Sequence, residues 1–152
     1  MNLVRIALAS LGAAVAYFVY GFAMFAAWPS MKTEFKKYPN VYRTEESMMK
    51  VMPYGMVGIL ISIVVIAVLY AKIYAATAVR GLAPGAVAGL VSGLASGACL
   101  GALIGLFVVG MFVIHNYVNL NIGVKLTVYQ GIAYFFQWLI VGAVIGLIYK
   151  TA

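Results

Sequence analysis

The stretch "HNYVNLNIGVK", residues 115–125, decides how many times the chain crosses a membrane. It closes the longest uncharged run, the 44 residues 81–124, which contain no Asp, Glu, Lys or Arg. As one helix that run would extend about 66 Å, whereas the hydrocarbon core of a bilayer is only ~30 Å thick. Three asparagines and Gly123 within the stretch favour a turn. We therefore expect a hairpin here that joins a third and a fourth membrane-spanning helix.

The composition places the rest of the chain in a membrane too. Hydrophobic residues make up 66% of the chain and charged residues only 9%, whereas soluble domains carry roughly 25% charged residues. Because a spanning helix needs about 20 apolar residues, the uncharged runs predict an all-α integral membrane protein, a four-transmembrane-helix bundle in a single membrane domain, 1–152. Its predicted spans are 4–28, 51–72, 85–114 and 125–149, and its polar loop is 29–50.

Basic residues give the chain a net charge of +7. They lie at the ends of the predicted spans and along the loop 29–50, where Lys and Arg serve as membrane anchors, so no nucleic-acid partner is expected. Six lie on the loop side and four on the opposite side. The positive-inside rule therefore puts the loop in the cytoplasm by a margin of two, and a periplasmic loop stays open as the alternative.

Glycine recurs at every fourth residue into and along the third predicted span. The series comprises Gly81, Gly85, Gly89, Gly93, Gly97, Gly101 and Gly105. Small residues four apart let the backbones of membrane helices approach closely. Such a row turns by about 40° per step and sweeps about 200° from Gly85 to Gly105, which predicts a central glycine-zipper third helix crossed by more than one neighbour. Gly142 and Gly146 are the matching small residues of the fourth helix, and the zipper could serve packing within one chain or an oligomer.

Acidic residues are missing from all four predicted spans. Ionisable groups inside the membrane usually mark proton relays and ion-coupled transport, so their absence argues against a proton-coupled carrier. The single histidine, His115, has no acidic residue near it in the sequence, which makes a Ser-His-Asp arrangement implausible. We expect no enzyme activity and no cofactor.

Three methionines, Met48, Met52 and Met56, follow one another at intervals of four. Thioethers are soft ligands that suit Cu(I). The pattern resembles that of the high-affinity eukaryotic copper transporters, which pair an M-x-x-x-M with a later G-x-x-x-G helix but have three spans. Pro53 disfavours helical backbone at Met52, so the three sulfurs need not share a face, and side-chain packing is the alternative interpretation.

Polar residues on the fourth predicted helix form a further candidate site. Gln130, Tyr134 and Gln137 are spaced i, i+4, i+7 on one face. His115 and Asn116 lie about 44 Å along a helix that starts at residue 85, hence at the membrane boundary, where Gln130 could approach His115 across the hairpin. The amides either bond between helices or bind a quinone or lipid headgroup.

Two long segments carry a looser resemblance. "MPYGMVGILISIVVIAVLYAKIY", 52–74, precedes the glycine-rich helix, and "NYVNLNIGVKLTVYQGIAYFFQWLIVGAVIGLIYK", 116–150, ends the chain. Together they look like small bacterial four-span membrane proteins of the domain-of-unknown-function type. The resemblance implies a bacterial inner-membrane location and supplies no activity or site residue.

The function expected from these observations is a non-enzymatic one that depends on helix packing. The chain would act as a homo-oligomer or as an accessory or assembly subunit of a larger membrane complex, with membrane lipid as its surroundings. The alternative is a small-solute or metal-ion transporter, copper included, that uses the methionines and the polar cluster of residues 115–130.

Overall fold

A computed structural model of the protein describes residues 2–78 and 86–149. Gly81 and Gly85, together with Arg80 and Lys150, lie outside the described residues. The described elements are α1 (Leu3–Ala27), α2 (Pro29–Lys36), α3 (Glu45–Ala78), α4 (Ala86–Val108), a π-helical segment (Val109–Ile114), α5 (His115–Asn119) and α6 (Val124–Tyr149).

The all-helical class and the four spans are confirmed. Four helical stretches are long and apolar enough to cross a membrane: Leu3–Met24, Glu46–Tyr74, Ser92–Asn119 and Val124–Tyr149. The described part of the chain contains no β-strand. The protein is therefore a helical membrane protein, and its polar loop contributes one more short helix, α2.

The third helix starts before the membrane and runs through a proline. The Thr44 hydroxyl accepts a hydrogen bond from the Ser47 amide at 3.3 Å and so caps the first turn of α3. The helix then continues without interruption past Pro53 to Ala78. Proline removes one backbone hydrogen bond, a loss that membrane helices tolerate. The short helix of the loop is α2, which begins with Pro29 at a position where a missing N–H costs nothing.

The break between the last two spans falls at residues 120–123, inside the stretch that predicted it. The helical structure of the third span ends at Asn119, five residues after the predicted end at residue 114, because it continues through the π-helical segment and α5. His115, Asn116 and Asn119 thus belong to the helix and not to the turn. The Asn119 side chain donates to the His115 carbonyl at 2.8 Å, one turn back along that helix.

Helix α6, and not α4, occupies the centre of the described bundle. It contacts α1, α2, α3 and α4, whereas α4 packs mainly against α6. Accordingly, 39% of the residues in the most apolar part of α6 are buried, compared with 22% in the span that contains α4. The expectation of a central third helix crossed by several neighbours was wrong, because residues spaced i, i+4 form a ridge along α4 that a single neighbouring helix can follow.

The shared core joins three of the spans. Ile6, Ala9 and Ala13 of α1 belong to the same buried cluster as Ile63 and Ala67 of α3. Trp138, Val141 and Ile145 of α6 complete the cluster. In α3 the buried residues begin at Ile63, so only the second half of that long helix takes part in the core.

Candidate functional site

The α4–α6 contact brings backbone against backbone. A Cβ atom on Gly97 would overlap the carbonyl oxygen of Gly142 and lie 2.8 Å from the Cα of Gly146. On the other side, a Cβ on Gly142 would overlap the Gly97 oxygen and lie 2.6 Å from the Cα of Gly101. No residue larger than glycine fits at these positions unless the two helices separate.

The same contact continues toward both ends of α4. A Cβ on Gly146 would overlap the Gly93 carbonyl, and a Cβ on Gly105 would lie 2.9 Å from the Phe135 carbonyl oxygen. The described glycines of the row therefore face one antiparallel partner. Gly89 is helical, and its surroundings are not among the described ones.

Tyr70 attaches α3 to α4 beside this contact. Its hydroxyl lies 2.7 Å from the Ser96 hydroxyl and donates to the Gly93 carbonyl at 3.3 Å. Tyr70 is itself almost fully buried, and its ring meets that of Tyr149 edge to face, with centroids 6.0 Å apart. One polar bridge therefore fixes the second half of α3 against the glycine row.

The polar face of α6 binds different partners at each level. The Gln137 amide donates to the Tyr17 carbonyl of α1 at 3.1 Å, and the Gln130 amide donates to the Tyr42 hydroxyl of the loop at 3.3 Å. Between them the Tyr134 ring meets that of Phe112 edge to face, with centroids 5.5 Å apart. This face joins α1, the loop and the π-helical segment to α6 through hydrogen bonds and ring contacts.

The five polar residues predicted as a cluster lie in two places. Gln130 and Gln137 are buried inside the bundle, whereas His115 is exposed and Asn116 is half-buried on α5. The hydrogen bonds of Gln130 and of the His115 backbone run to different groups, Tyr42 and Asn119. The arrangement supports interhelical bonding by Gln137, and it does not bring Gln130 and His115 into one hydrogen-bonded site.

The methionine row lies on one helix and is exposed. Because α3 runs through Pro53, Met48, Met52 and Met56 follow a single i, i+4, i+8 row, which the sequence alone did not predict. All three side chains are more than 40% exposed. Residues four apart are separated by about 6 Å along a helix, so the outer two lie ~12 Å apart and one helix cannot bring all three sulfurs to one ion.

A salt-bridge centre that the sequence did not reveal holds the loop to α6. The Glu34 side chain is only 5% exposed, and its Oε1 accepts from Lys37 Nζ at 2.7 Å and from Lys125 Nζ at 3.1 Å. These hydrogen bonds, from Lys37 first and then Lys125, hold the pKa of Glu34 below its ordinary value despite burial. The only indications of this centre in the sequence were one acid in α2 and one lysine at the start of the fourth span.

Two tyrosines complete the attachment of the loop. The Gly123 amide donates to the Tyr38 hydroxyl at 2.9 Å, and Tyr42 accepts from Gln130 as described above. The ring of Phe35 meets that of Tyr42 edge to face, with centroids 4.8 Å apart. We call residues 29–44 the cap, because they cover the turn at 120–123 and the first turns of α6.

The first half of α3 is the least covered part of the described bundle. None of the seventeen residues from Glu46 to Ser62 is buried. A Cβ added to Gly55 or Gly58 would meet nothing within 4 Å, in contrast to the crowded glycines of α4 and α6. This half of α3 therefore presents a long apolar surface that contains two open glycine positions.

A groove of about 400 Å³ lies between α1 and α3. Its walls are apolar side chains, including Ile6, Leu60 and Val64, and Ser10 is its one polar lining residue. The Ser10 hydroxyl oxygen is itself buried and has no hydrogen-bond partner among the described groups. The groove can take an apolar chain or side chain and offers a solute little to bind.

No family model, curated protein or solved structure matches this chain.

Proposed function

We propose that this chain is a non-enzymatic membrane protein that works by helix packing, as a homo-oligomer or as an accessory or assembly subunit of a larger complex in a bacterial inner membrane. The observation that carries the proposal is the contrast between two glycine-containing surfaces. One is closed inside the chain, between α4 and α6, and the other, on the first half of α3, is open.

The closed surface serves the fold of the single chain. We interpret the row from Gly93 to Gly105 as a glycine zipper whose partner is α6 of the same chain, with Gly142 and Gly146 opposite. Glycine at these positions permits the close backbone approach on which helix association in lipid depends. Because this row is already occupied within the chain, assembly with another chain needs a different surface.

The open surface has the features of such an interface. Glycine lowers helix stability and is costly where nothing packs against it, yet Gly55 and Gly58 lie within three residues of each other on a helix with no buried neighbour there. A helix from another chain could approach the backbone of α3 at these two glycines. Several large apolar side chains flank them, among them Tyr54, which is 78% exposed.

The charged groups support a packing role over a chemical one. Of the described acids, Glu34 is bound by two lysines and Glu46 pairs with Lys50 at 3.0 Å, both outside the apolar parts of the spans. Of the buried amides of α6, Gln137 donates to α1 and Gln130 donates to the loop. The described acids and these amides therefore make contacts that hold the fold together.

A second candidate function is transport of a small solute or a soft metal ion such as Cu(I). It is favoured by the exposed row of Met48, Met52 and Met56 on the same half of α3. Two copies that met along α3 would bring two such rows together, and thioether sulfurs from both could surround one ion. This candidate therefore requires the same assembly through α3.

The discriminating experiment is Gly55→Leu combined with Gly58→Leu. Since a Cβ at either position meets nothing within the chain and leucine favours helix more than glycine does, the double variant should fold with a thermal stability no lower than that of the wild type. Its assembly with copies or partners should be lost, as seen by native mass spectrometry after mild extraction. Gly110→Leu is the matched control, because Gly110 is equally open but lies on the π-helical segment. Retained assembly of the double variant would refute the proposal.

A further inference from the structure

The cap carries three basic side chains that face outward and form no salt bridge with a described carboxylate. Lys32 and Lys36 of α2 and Arg43 are all exposed. The described carboxylates are engaged elsewhere, Glu34 with Lys37 and Lys125 and Glu46 with Lys50. Six basic and three acidic residues lie at this end of the bundle, which leaves it a net charge of +3.

The fold fixes these cations at the level of lipid headgroups. Helix α2 starts directly after α1 and is bonded through Glu34 to Lys125, the second residue of α6. It therefore connects the ends of two membrane spans and lies at that end of the bundle. The Trp28 ring, 4.7 Å from that of Tyr129 between centroids, adds the aromatic contact typical of a membrane boundary.

Helix α2 also carries its buried residues and its two unpaired lysines on opposite sides of its axis. Met31 and Glu34 are its buried residues. At 100° per residue, Lys36 points about 170° away from the midpoint between those two side chains, and Lys32 lies one turn before it, ~6 Å along the axis. Both ammonium groups thus project from the side of α2 that faces away from the bundle.

We propose that this outer surface of the cap, formed by Lys32, Lys36 and Arg43, binds the phosphate-bearing headgroups of anionic phospholipids. Charge complementarity supplies the attraction, since basic side chains beside a membrane attract acidic lipids. A lipid fits better than a free phosphate ion because exposed apolar residues lie next to the cap. Phe22 near the end of α1 is 78% exposed and Met49 near the start of α3 is 71% exposed, so acyl chains can cover them while the headgroup meets the cations.

The expected size of the effect follows from the number of cations. Each Lys or Arg near an anionic surface contributes about a fivefold preference, so three of them contribute about a hundredfold. The attraction acts within a Debye length and weakens with salt. Both features can be measured on the purified full chain.

The test measures retention of phosphatidylglycerol over phosphatidylcholine by native mass spectrometry, for the protein extracted from mixed vesicles of the two lipids. The wild type should retain phosphatidylglycerol preferentially. A variant with Lys32→Gln, Lys36→Gln and Arg43→Gln should lose the preference by about a hundredfold, and Lys36→Gln alone by about fivefold. Thr33→Gln is the matched single control, because Thr33 is exposed on the same helix and carries no charge, and it should leave the preference unchanged.

A salt series and a competition with inorganic phosphate test the proposal further. Raising salt from about 0.1 M to about 1 M shortens the Debye length from ~10 Å to ~3 Å and should reduce the preference of the wild type, whether or not the triple variant can be purified. Inorganic phosphate at matched concentration should not displace the lipid. The proposal is overturned if the triple variant keeps the preference, if the preference does not respond to salt, or if phosphate alone displaces the lipid.

Discussion

Gly97 and Gly142 touch through their backbones, so that a Cβ atom on either one would overlap the carbonyl oxygen of the other. This reciprocal contact ties the third span to the fourth, and the fourth is the helix that the other spans contact. A change at this point should therefore affect the whole bundle.

Gly97→Leu should destabilise the chain by ~3 kcal/mol or prevent folding, since the new side chain has to separate α4 from α6. Thermal unfolding in detergent measures the effect. Cys99→Ala provides the control two residues away on the same helix, and it should change little because Cys99 is exposed. Equal stability of the two variants would show that α4 and α6 do not touch as described.

Gly123→Ala should loosen the cap, because the added methyl group would lie 2.5 Å from the Tyr38 hydroxyl oxygen. Tyr38→Phe should cost about 1 kcal/mol by removing the acceptor of the Gly123 amide. Hydrogen exchange of residues 29–44 measures both effects.

Combining the two changes gives a sharper test. With Phe at position 38 the nearest remaining ring atom is 3.7 Å from the new methyl group, an ordinary contact. The double variant should therefore be no less stable than Tyr38→Phe alone. If the stability losses of the two single variants added up in the double variant, Gly123 and Tyr38 would not be in contact.

Glu34 should make attachment of the cap depend on pH. Its pKa in the folded chain lies below the ordinary value of 4.5, so its stabilising contribution is complete above about that pH. The contribution is lost as the pH falls through the lower folded-state pKa, when protonation breaks the bonds to Lys37 and Lys125. Glu34→Gln should weaken the cap at neutral pH and remove this acid transition.

The control for the pH experiment is Glu46→Gln. Glu46 also pairs with a lysine, but its side chain is 84% exposed, and exposed pairs contribute little. Cap exchange that rises on acidification to the same extent in Glu34→Gln and in the wild type would show that another group titrates.

The membrane spans followed from the sequence because hydropathy depends only on residues that are close together in the chain. The end of the third span did not, since Asn116 and Asn119 can continue a helix at a membrane boundary as well as form a turn. The Glu34–Lys125 pair joins residues far apart in the chain, and no periodic pattern reports such a contact. The helical backbone through Pro53 depends on tolerance of proline in membrane helices, which is decided by surroundings and not by propensity.

The position of the glycine row was visible in the sequence, but its partner was not. The +40° turn per step suggested several neighbours around α4. The structure shows α6 as the main neighbour instead, because Gly142 and Gly146 of α6 lie against the described glycines of the row, and Tyr70 of α3 adds a second contact at Gly93. Within the described helices, the first half of α3 is the longest stretch without a buried residue, and the proposal of assembly depends on it.

Site-specific photo-crosslinking in intact membranes tests that proposal most directly. The probe is placed at Tyr54 on the first half of α3, with Leu103 on α4, which is 61% exposed, as the control position. We predict a protein adduct from Tyr54, either a dimer of this chain or a complex with another subunit, and only lipid adducts from Leu103. Lipid adducts alone from both positions would contradict the assignment of α3 as the docking helix.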